Sequence, residues 1–197
     1  MERIDTIVVG AGQAGLATSY HLQQAGREHV VLERGSTVAP VWCNERWDSF
    51  TTVTPNWGLK LPGMPYAGSN PHGFLPRGEI SHLFSRYARQ FALPVMLNTP
   101  VLSITPEQHG QFRITTPGQV YLSRSVVVAT GYEQQPRIPE SSADLPSDLV
   151  QLHSSQYRNP ASLPDGAVLV VGSGQSGAQI AEELYQHGRR TFLATSS

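Results

Sequence analysis

The start of the chain has a clear pattern of apolar and polar residues. The apolar run Ile4–Val9 is followed by a glycine-rich turn and then by apolar residues at helical spacing. The run has the length of a short buried strand, and Gln13–Ala25 has the period of a helix. A second apolar run, His29–Glu33, ends in a carboxylate. The pattern therefore predicts a strand–helix–strand unit.

The same order of elements returns near the other end of the sequence. Ala167–Val171 is apolar and runs into a second glycine-rich turn, after which Gln175–His187 has helical spacing. Thr191–Ala194 begins a return strand. The sequence therefore predicts two units of the same kind.

Between these units the pattern predicts one helix, several short strands and a polar linker. The helix opens at Pro76 and runs to Phe91, with apolar residues at helical spacing. The other predicted elements are short strands at 95–97, 101–105, 112–115 and 120–122, a buried strand at 125–131, a linker at 134–146 and a strand at 149–153. We expect an α/β fold: a three-layer Rossmann-like domain over residues 1–140, whose parallel sheet carries a small antiparallel meander, and an incomplete second Rossmann-like domain over 141–197.

The first glycine-rich turn has the G-x-G-x-x-G spacing of dinucleotide-binding proteins. Gly10 permits a tight turn, Gly12 lets the backbone approach a pyrophosphate, and Gly15 lets the helix lie against the strand. The helix N-terminus offers free N–H groups to phosphates. Glu33 stands where the ribose hydroxyls are expected. The alternative is a turn without a ligand, but strand, helix and acid together favour a dinucleotide.

The second turn repeats this spacing with Gly172, Gly174 and Gly177. Two complete motifs in one chain are more specific than either alone and predict two dinucleotides. Glu33 suits a free ribose 2′-OH, as in a flavin or NAD adenosine. The segment 195–197 has the sequence Thr-Ser-Ser and supplies no carboxylate, which favours NADPH over NADH at the second site.

A long irregular stretch, residues 34–78, separates the first unit from the predicted helix. It contains all three tryptophans, Trp42, Trp47 and Trp57. So long a loop is uncommon in a compact domain and usually indicates a function. The aromatic rings either cover the sheet as part of the core or form the wall of a flat aromatic ligand. The residues alone favour neither reading.

Charge, cysteine content and the absence of long apolar runs limit the binding partners and the cellular compartment that we expect. The formal net charge is -1 and basic residues are scattered, so nothing indicates binding to nucleic acid or to an acidic membrane surface. The single cysteine, Cys43, excludes an internal disulfide and a C-x-x-C pair, and we expect it to behave as a small buried hydrophobic residue. There is no signal-peptide pattern and no apolar run that could cross a bilayer. We therefore expect a cytoplasmic protein with no nucleic-acid, membrane or metal partner.

Together, several motifs resemble the flavin-containing monooxygenase superfamily, in particular bacterial members similar to indole-pyruvate monooxygenases. Besides the two glycine turns, the shared segments are 46–48 (Arg-Trp-Asp), 54–56 (Thr-Pro-Asn), 129–131 (Ala-Thr-Gly) and 153–157. The resemblance covers essentially the whole chain. It implies bound FAD, reduction of that FAD by NADPH, and transfer of one oxygen atom from O₂ to a small organic substrate through a C4a-hydroperoxyflavin.

The resemblance also assigns residues to each site. Asn56 matches an asparagine beside the isoalloxazine ring and is the candidate catalytic residue, whose amide would hydrogen-bond near the reactive flavin edge or an oxygen intermediate. From the residues alone, Asn56 is equally well read as a turn residue. The remaining residues of the implied FAD site are Gly10, Gly12, Gln13, Ala14, Gly15, Glu33, Arg34, Trp42, Trp47, Val101, Ala129, Thr130 and Gly131. The implied NADPH site consists of Gly172, Gly174, Gln175, Ser176 and Gly177.

Two features depart from the superfamily pattern. In its motif F-x-G-x-x-x-H-x-x-x-Y/F, His153 and Tyr157 match, whereas Ser147 and Leu149 replace Phe and Gly. Members are also about twice this length, so we expect either an N-terminal fragment or a chain whose missing part a complementing chain supplies. The uncovered apolar surface also favours self-association into a homo-oligomer. A two-dinucleotide reductase without oxygenation and a non-catalytic nucleotide-binding protein remain alternatives.

Overall fold

A computed structural model describes residues 1–131 and 135–195. Gln134, Ser196 and Ser197, which the sequence placed in the linker and after the return strand, lie outside the described residues. The strands of the main sheet are β1 (Glu2–Val9), β2 (His29–Leu32), β3 (Val95–Met96), β4 (Ser103–Pro106), β5 (Phe112–Thr115) and β6 (Val120–Val128). Their order is β3-β2-β1-β6-β5-β4. The first four in that order run parallel, and β5 and β4 complete an antiparallel meander.

A second, two-stranded parallel sheet lies later in the chain. Its strands are β7 (Val168–Val171) and β8 (Thr191–Ala194), and the helices of the chain are α1 (Gln13–Gln24), α2 (Pro40–Asn44), α3 (Arg77–Gln90) and α4 (Gln175–Gln186). Short 3₁₀ turns occupy Asn56–Gly58, Gln108–Gly110, Glu140–Asp144 and Pro160–Ser162. The predicted α/β class, with its parallel sheet and antiparallel meander, is confirmed. No helix within the described ranges has the length and apolar character that a membrane crossing requires.

One strand replaces two of the predicted elements. The sequence separated residues 120–122 from the strand at 125–131, whereas β6 runs without a break and pairs with both β5 and β1. The polar residue Ser123, which lies between the two predicted strands, is buried at 1% exposure. Its hydroxyl lies 2.7 Å from the Ser125 carbonyl oxygen and 3.0 Å from that of Asp5. Because these contacts satisfy the hydroxyl, burial of Ser123 inside the strand carries little cost.

Two other strand predictions need correction. Residues 149–153 form no strand, and Leu149 and Leu152 are exposed, so this apolar segment has no sheet partner within the described part of the chain. The end of β6 was expected to be buried, but the Val128 side chain is 66% exposed.

Aromatic side chains of the long loop and of α3 form much of the core. Trp47, Phe50, Phe84 and Tyr87 are almost fully buried beneath the face of the sheet that carries Val8 and Val31, within one cluster. Trp57 is 54% exposed. The prediction that the aromatic rings of residues 34–78 belong to the core is therefore correct for Trp47. It does not apply to Trp57. Ile180 and Leu184 of α4 join the same cluster, so α4 packs on the first unit.

Candidate dinucleotide sites

The turn between β1 and α1 requires glycine at two positions. Gly10 has φ +101°, and a Cβ atom there would lie 2.6 Å from the Ala129 carbonyl oxygen. A Cβ atom on Gly15 would collide with the Gly10 carbonyl oxygen, because α1 lies directly against the turn. The Gly10 N–H donates to the Leu32 carbonyl oxygen at 2.8 Å. The glycines predicted to shape the turn and to bring the helix close therefore do so.

Gly12 faces open space. It is the N-cap of α1, no side chain caps the helix there, and a Cβ atom on it would have no neighbour within 4 Å. The next two residues, Gln13 and Ala14, are exposed. Uncapped N–H groups and the positive end of the helix dipole attract an anion. This cradle, which a side chain on Gly12 would fill, fits a pyrophosphate.

The carboxylate of Glu33 lies under the same turn. Glu33 is 4% exposed. Its Oε2 accepts a hydrogen bond of 2.7 Å from the Ala11 N–H, and its Oε1 accepts one of 2.8 Å from the Gly35 N–H. Each carboxylate oxygen keeps a second lone pair that could accept from a ribose hydroxyl. Arg34, the next residue, is exposed.

A residue that the sequence did not single out closes the other side of the turn. The Ala39 N–H donates to the Ala11 carbonyl oxygen at 2.9 Å, at the start of α2. Ala39 has left-handed backbone geometry, φ 50° and ψ 49°, and is 1% exposed. Such geometry costs an alanine roughly 1–2 kcal/mol. No sequence pattern marks Ala39, since alanine is not a residue expected at positive φ.

Strand ends surround the turn. The Ala129 N–H donates to the Val9 carbonyl oxygen at 2.8 Å, which places Ala129 beside Gly10. Thr130 and Gly131 follow and are exposed. Val101 is half-buried and packs on the cluster beneath the opposite face of the sheet. The structure thus brings the end of β6 to the glycine turn, next to the other residues that the resemblance assigned to the FAD site.

The two remaining aromatic candidates differ in accessibility. Trp42 is half-buried; its ring stacks on that of Phe84 with centroids 6.4 Å apart, and the guanidinium of Arg46 lies 5.5 Å from its centroid. Trp47 is 1% exposed and packs edge-on against Phe50, with centroids 5.0 Å apart. In this arrangement Trp42 has ring surface to offer a ligand, whereas the Trp47 ring is enclosed by protein.

Asn56 is buried, at 3% exposure, with its amide nitrogen fully engaged. Nδ2 donates to the Asn70 carbonyl oxygen at 2.8 Å and to the Tyr66 hydroxyl at 3.3 Å. The Asn70 carbonyl can only accept, which fixes the orientation of the amide. Oδ1 is buried without a hydrogen-bond partner among the described residues. Asn56 is therefore arranged to accept a further hydrogen bond through Oδ1, because its amide nitrogen already donates to Asn70 and Tyr66.

The turn between β7 and α4 reproduces the first in its internal geometry. Gly172 has φ +101°, the same value as Gly10, and its N–H donates to the Ala194 carbonyl oxygen at 2.9 Å. A Cβ atom on Gly177 would collide with the Gly172 carbonyl oxygen. Gly174 is the uncapped N-cap of α4 and faces open space. Gln175 is exposed and Ser176 half-buried at the start of the helix. This turn therefore offers a second anion cradle.

The motif residues between the two units make structural contacts. His153 Nδ1 lies 2.9 Å from the Ser155 hydroxyl. The Tyr157 hydroxyl donates to Glu183 Oε2 at 2.7 Å, and both residues are buried. Burial, followed by the hydrogen bond to the Glu183 carboxylate, raises the pKa of Tyr157. Glu183 was not among the residues predicted from the sequence. Its position on the buried face of α4 is the one signal that could have indicated it.

Cys43 is not the buried hydrophobic residue that was expected. It is half-buried, and its Sγ lies 2.8 Å from the Ser81 hydroxyl on α3. The contact ties α2 to α3. No group of three metal-ligating side chains occurs in the described ranges.

Two strand–glycine–helix units with matching turns define a protein built on dinucleotide-binding folds. The sequence profile of the pyridine nucleotide-disulphide oxidoreductases matches residues 7–197. The chain belongs to this family.

Similar proteins place it more narrowly among flavoenzymes. An uncharacterized CzcO-like oxidoreductase of Geobacillus kaustophilus is 43% identical over 97% of this chain and 54% of its own length. A probable indole-3-pyruvate monooxygenase of Arabidopsis thaliana, YUCCA3, is 30% identical over 97% of this chain and 46% of its own. The structure of a flavin-containing monooxygenase from Stenotrophomonas maltophilia has a TM-score of 0.90 at 28% identity and covers 100% of this chain and 59% of that one.

These comparisons confirm the resemblance to the flavin-containing monooxygenase superfamily. The matched regions lie along nearly the whole of this chain. The chain spans about half the length of the relatives it matches.

Proposed function

We propose that this chain carries the FAD site and the first elements of the NADPH site of a flavin-dependent monooxygenase. The observation that carries the proposal is the pair of uncapped, open glycine turns, each at the end of a parallel strand. In this proposal residues 1–140 bind FAD and residues 141–197 belong to the NADPH domain. The membership of the family and the likeness to a flavin-containing monooxygenase support it.

The first turn would hold the FAD. The N–H groups at the start of α1 would bind the pyrophosphate beside Gly12. Glu33 would hold the ribose while keeping the turn in shape through Ala11. Arg34, Trp42, Val101 and the strand end at 129–131 would border the rest of the cofactor.

Asn56 would provide the polar contact near the reactive ring. Its Oδ1 is an unpaired acceptor at 3% exposure, so it suits a bound N–H or O–H group. A buried acceptor without a partner costs about 1–3 kcal/mol, and a ligand donor recovers that cost. When bound, reduced flavin supplies the electrons that activate O₂ for transfer of one oxygen atom to a small organic substrate.

The second turn would hold the NADPH. Gly174, Gln175 and Ser176 lie at the N-terminus of α4, where free N–H groups suit a pyrophosphate. Thr195, directly after β8, brings no carboxylate to repel a 2′-phosphate. The protein's part is to bind both dinucleotides, orient them and exclude water.

A flavin-binding experiment tests this proposal. The purified chain is mixed with FAD, freed of unbound FAD by gel filtration, and its visible spectrum recorded. We expect retained flavin in the wild type and little in Gly12→Ala, whose added methyl group would occupy the cradle. A colourless wild-type chain would overturn the proposal.

A second measurement distinguishes oxygenation from simple reduction. Flavin-loaded chain is reduced anaerobically with NADPH and then exposed to ¹⁸O₂ with a small sulfide. We expect labelled sulfoxide. Recovery of all electrons as H₂O₂ would show that this chain does not transfer oxygen and would overturn the oxygenation part of the proposal.

A further inference from the structure

Asp48 lies where three separated segments of the chain meet. Its Oδ1 forms an ion pair with Arg77 Nη2, at the start of α3, at 3.1 Å. Its Oδ2 accepts a hydrogen bond of 2.7 Å from Asn159 Nδ2. Its backbone N–H donates to the Arg158 carbonyl oxygen at 2.8 Å. Asp48, in the long loop of residues 34–78, therefore contacts both α3 and the segment 158–159, which precedes the second dinucleotide unit.

The partners of Asp48 are themselves held in place. Arg158 Nη2 donates to the Asn44 carbonyl oxygen at the end of α2, at 2.7 Å. Asn159 caps the 3₁₀ turn at 160–162, because its Oδ1 accepts from the Ser162 N–H at 3.0 Å. Its Nδ2 is thereby directed to Asp48. The segment 157–159 is joined to the first unit by both backbone and side-chain contacts.

The connection continues from this segment into α4. Tyr157 donates its hydroxyl hydrogen to Glu183 at 2.7 Å in a buried contact. Gln179 Nε2, on the same helix, donates to the Thr51 carbonyl oxygen at 3.3 Å. Since α4 begins at the second glycine turn, the contacts at Asp48, Tyr157 and Gln179 fix the position of that turn relative to the first.

We propose that Asp48 is a positioning residue whose side chain, through Asn159, holds the second dinucleotide unit at a fixed orientation on the first. The catalytic part of this inference rests on the proposed function. Electron transfer from one dinucleotide to another requires a close approach, and a displacement of about 1 Å can slow a reaction about 100-fold. The Asp48 side chain is 48% exposed, and exposed ion pairs contribute little to global stability. We therefore expect the effect of its contacts to be local, at the segment 157–159 and at α4.

Amide hydrogen exchange of the purified chain tests the contact directly. In Asp48→Ala we expect severalfold faster exchange at 153–162 and in α4, with exchange in β1 and α1 unchanged. Asp144→Ala removes the same charge from an exposed side chain and serves as the matched control. Unchanged exchange at 153–162 in Asp48→Ala would overturn the proposal.

Swapping the Asp48 and Asn159 side chains distinguishes a specific positioning contact from general destabilisation of the chain. Asn159→Asp keeps an oxygen for the Ser162 cap but places a second carboxylate against Asp48, so exchange at 153–162 should rise. In the double variant Asp48→Asn with Asn159→Asp, an amide again faces a carboxylate, and exchange should return toward the wild-type rate. Failure of the double variant to recover would count against the pairing.

The functional consequence has its own readout. With FAD bound, Asp48→Ala should retain flavin affinity and reduction by dithionite, while reduction by NADPH slows about 100-fold. An equal slowing of flavin reduction by NADPH and by dithionite would contradict a positioning role for Asp48. A chain that binds no FAD would refute the proposed function alone, because the exchange measurements need no cofactor.

Discussion

Glu33 accepts a hydrogen bond from the backbone N–H of Ala11 at 2.7 Å, 22 residues earlier in the chain. The same carboxylate accepts from the Gly35 N–H at 2.8 Å. The acid that the sequence assigned to a ribose thus also determines the shape of the glycine turn. An effect of Glu33 on cofactor binding therefore has a part that is present before any cofactor arrives.

Glu33→Gln should lower the free energy of unfolding of the chain without FAD by about 2 kcal/mol, because one of the two buried N–H donors would face the new NH₂ group. Urea denaturation followed by circular dichroism measures this loss. Glu140→Gln, at an exposed acid, is the control and should change stability little. A loss no larger than that of the control would show that the two hydrogen bonds contribute nothing to stability.

Substitution by alanine should have different effects at Gly12 and at Gly15: mainly on FAD binding at Gly12, and mainly on stability at Gly15. Gly12→Ala should lower the free energy of unfolding by about 1 kcal/mol, since alanine is a poorer N-cap than glycine, yet prevent retention of FAD. Gly15→Ala should destabilise the chain by about 3 kcal/mol or more, because its Cβ would strike the Gly10 carbonyl oxygen. Thermal unfolding and flavin retention, measured on both variants, check the contrast. Equal unfolding temperatures in the two variants would contradict it.

At Asn56, a charged replacement should lower the free energy of unfolding more than an apolar replacement. Asn56→Asp places a carboxylate 2.8 Å from the Asn70 carbonyl oxygen, and we expect a loss of about 3 kcal/mol. Asn56→Leu also loses the amide contacts, but it removes the unpaired Oδ1 and should cost about 1 kcal/mol less. Denaturation of both variants at pH 8 measures the order. The reverse order would contradict the prediction, which combines repulsion from the Asn70 carbonyl with the loss of an unpaired Oδ1.

High pH should destabilise the chain partly through Tyr87. Burial raises the pKa of Tyr87 to about 12, with a smaller contribution from Tyr20. Its stabilising contribution is complete below pH 10 and is lost as the pH rises toward 12, because Tyr87 ionises in the unfolded chain first. The loss attributable to Tyr87 is about 3 kcal/mol at most. Urea denaturation between pH 9 and 12 follows it.

Tyr87→Phe provides the comparison for that measurement. It removes the hydrogen bond of 2.8 Å to the Pro62 carbonyl oxygen and should cost about 1 kcal/mol at pH 8. Its stability should then fall less steeply above pH 10 than that of the wild type. Parallel pH profiles would show that Tyr87 is not a source of the alkaline loss.

Local patterns were sufficient to predict much of the fold. The two strand–glycine–helix units were recognisable because their signal lies within about 30 residues of chain. Strand β6 was divided wrongly because the sequence pattern does not show that Asp5 and Ser125 satisfy the polar residue between its two halves, Ser123. Residues 149–153 were mistaken for a strand because an apolar run does not show whether a neighbouring strand exists.

The candidate site was predicted less completely, since parts of it depend on distant contacts. The Asp48–Asn159 hydrogen bond joins residues 111 positions apart, and no periodicity indicates such a pair. The left-handed geometry of Ala39 likewise has no sequence signal. The direction of the Asn56 amide depends on Tyr66 and Asn70, whose placement only the folded loop determines.

The two glycine turns differ in how firmly their surroundings hold them. The first is bonded to Leu32, Glu33 and Ala39 and abuts Ala129, whereas a Cβ atom on Gly172 would meet no neighbour within 4 Å. A turn that is already rigid loses little conformational entropy when a ligand binds, and a looser one loses more. We therefore expect the first turn to bind a dinucleotide more tightly than the second.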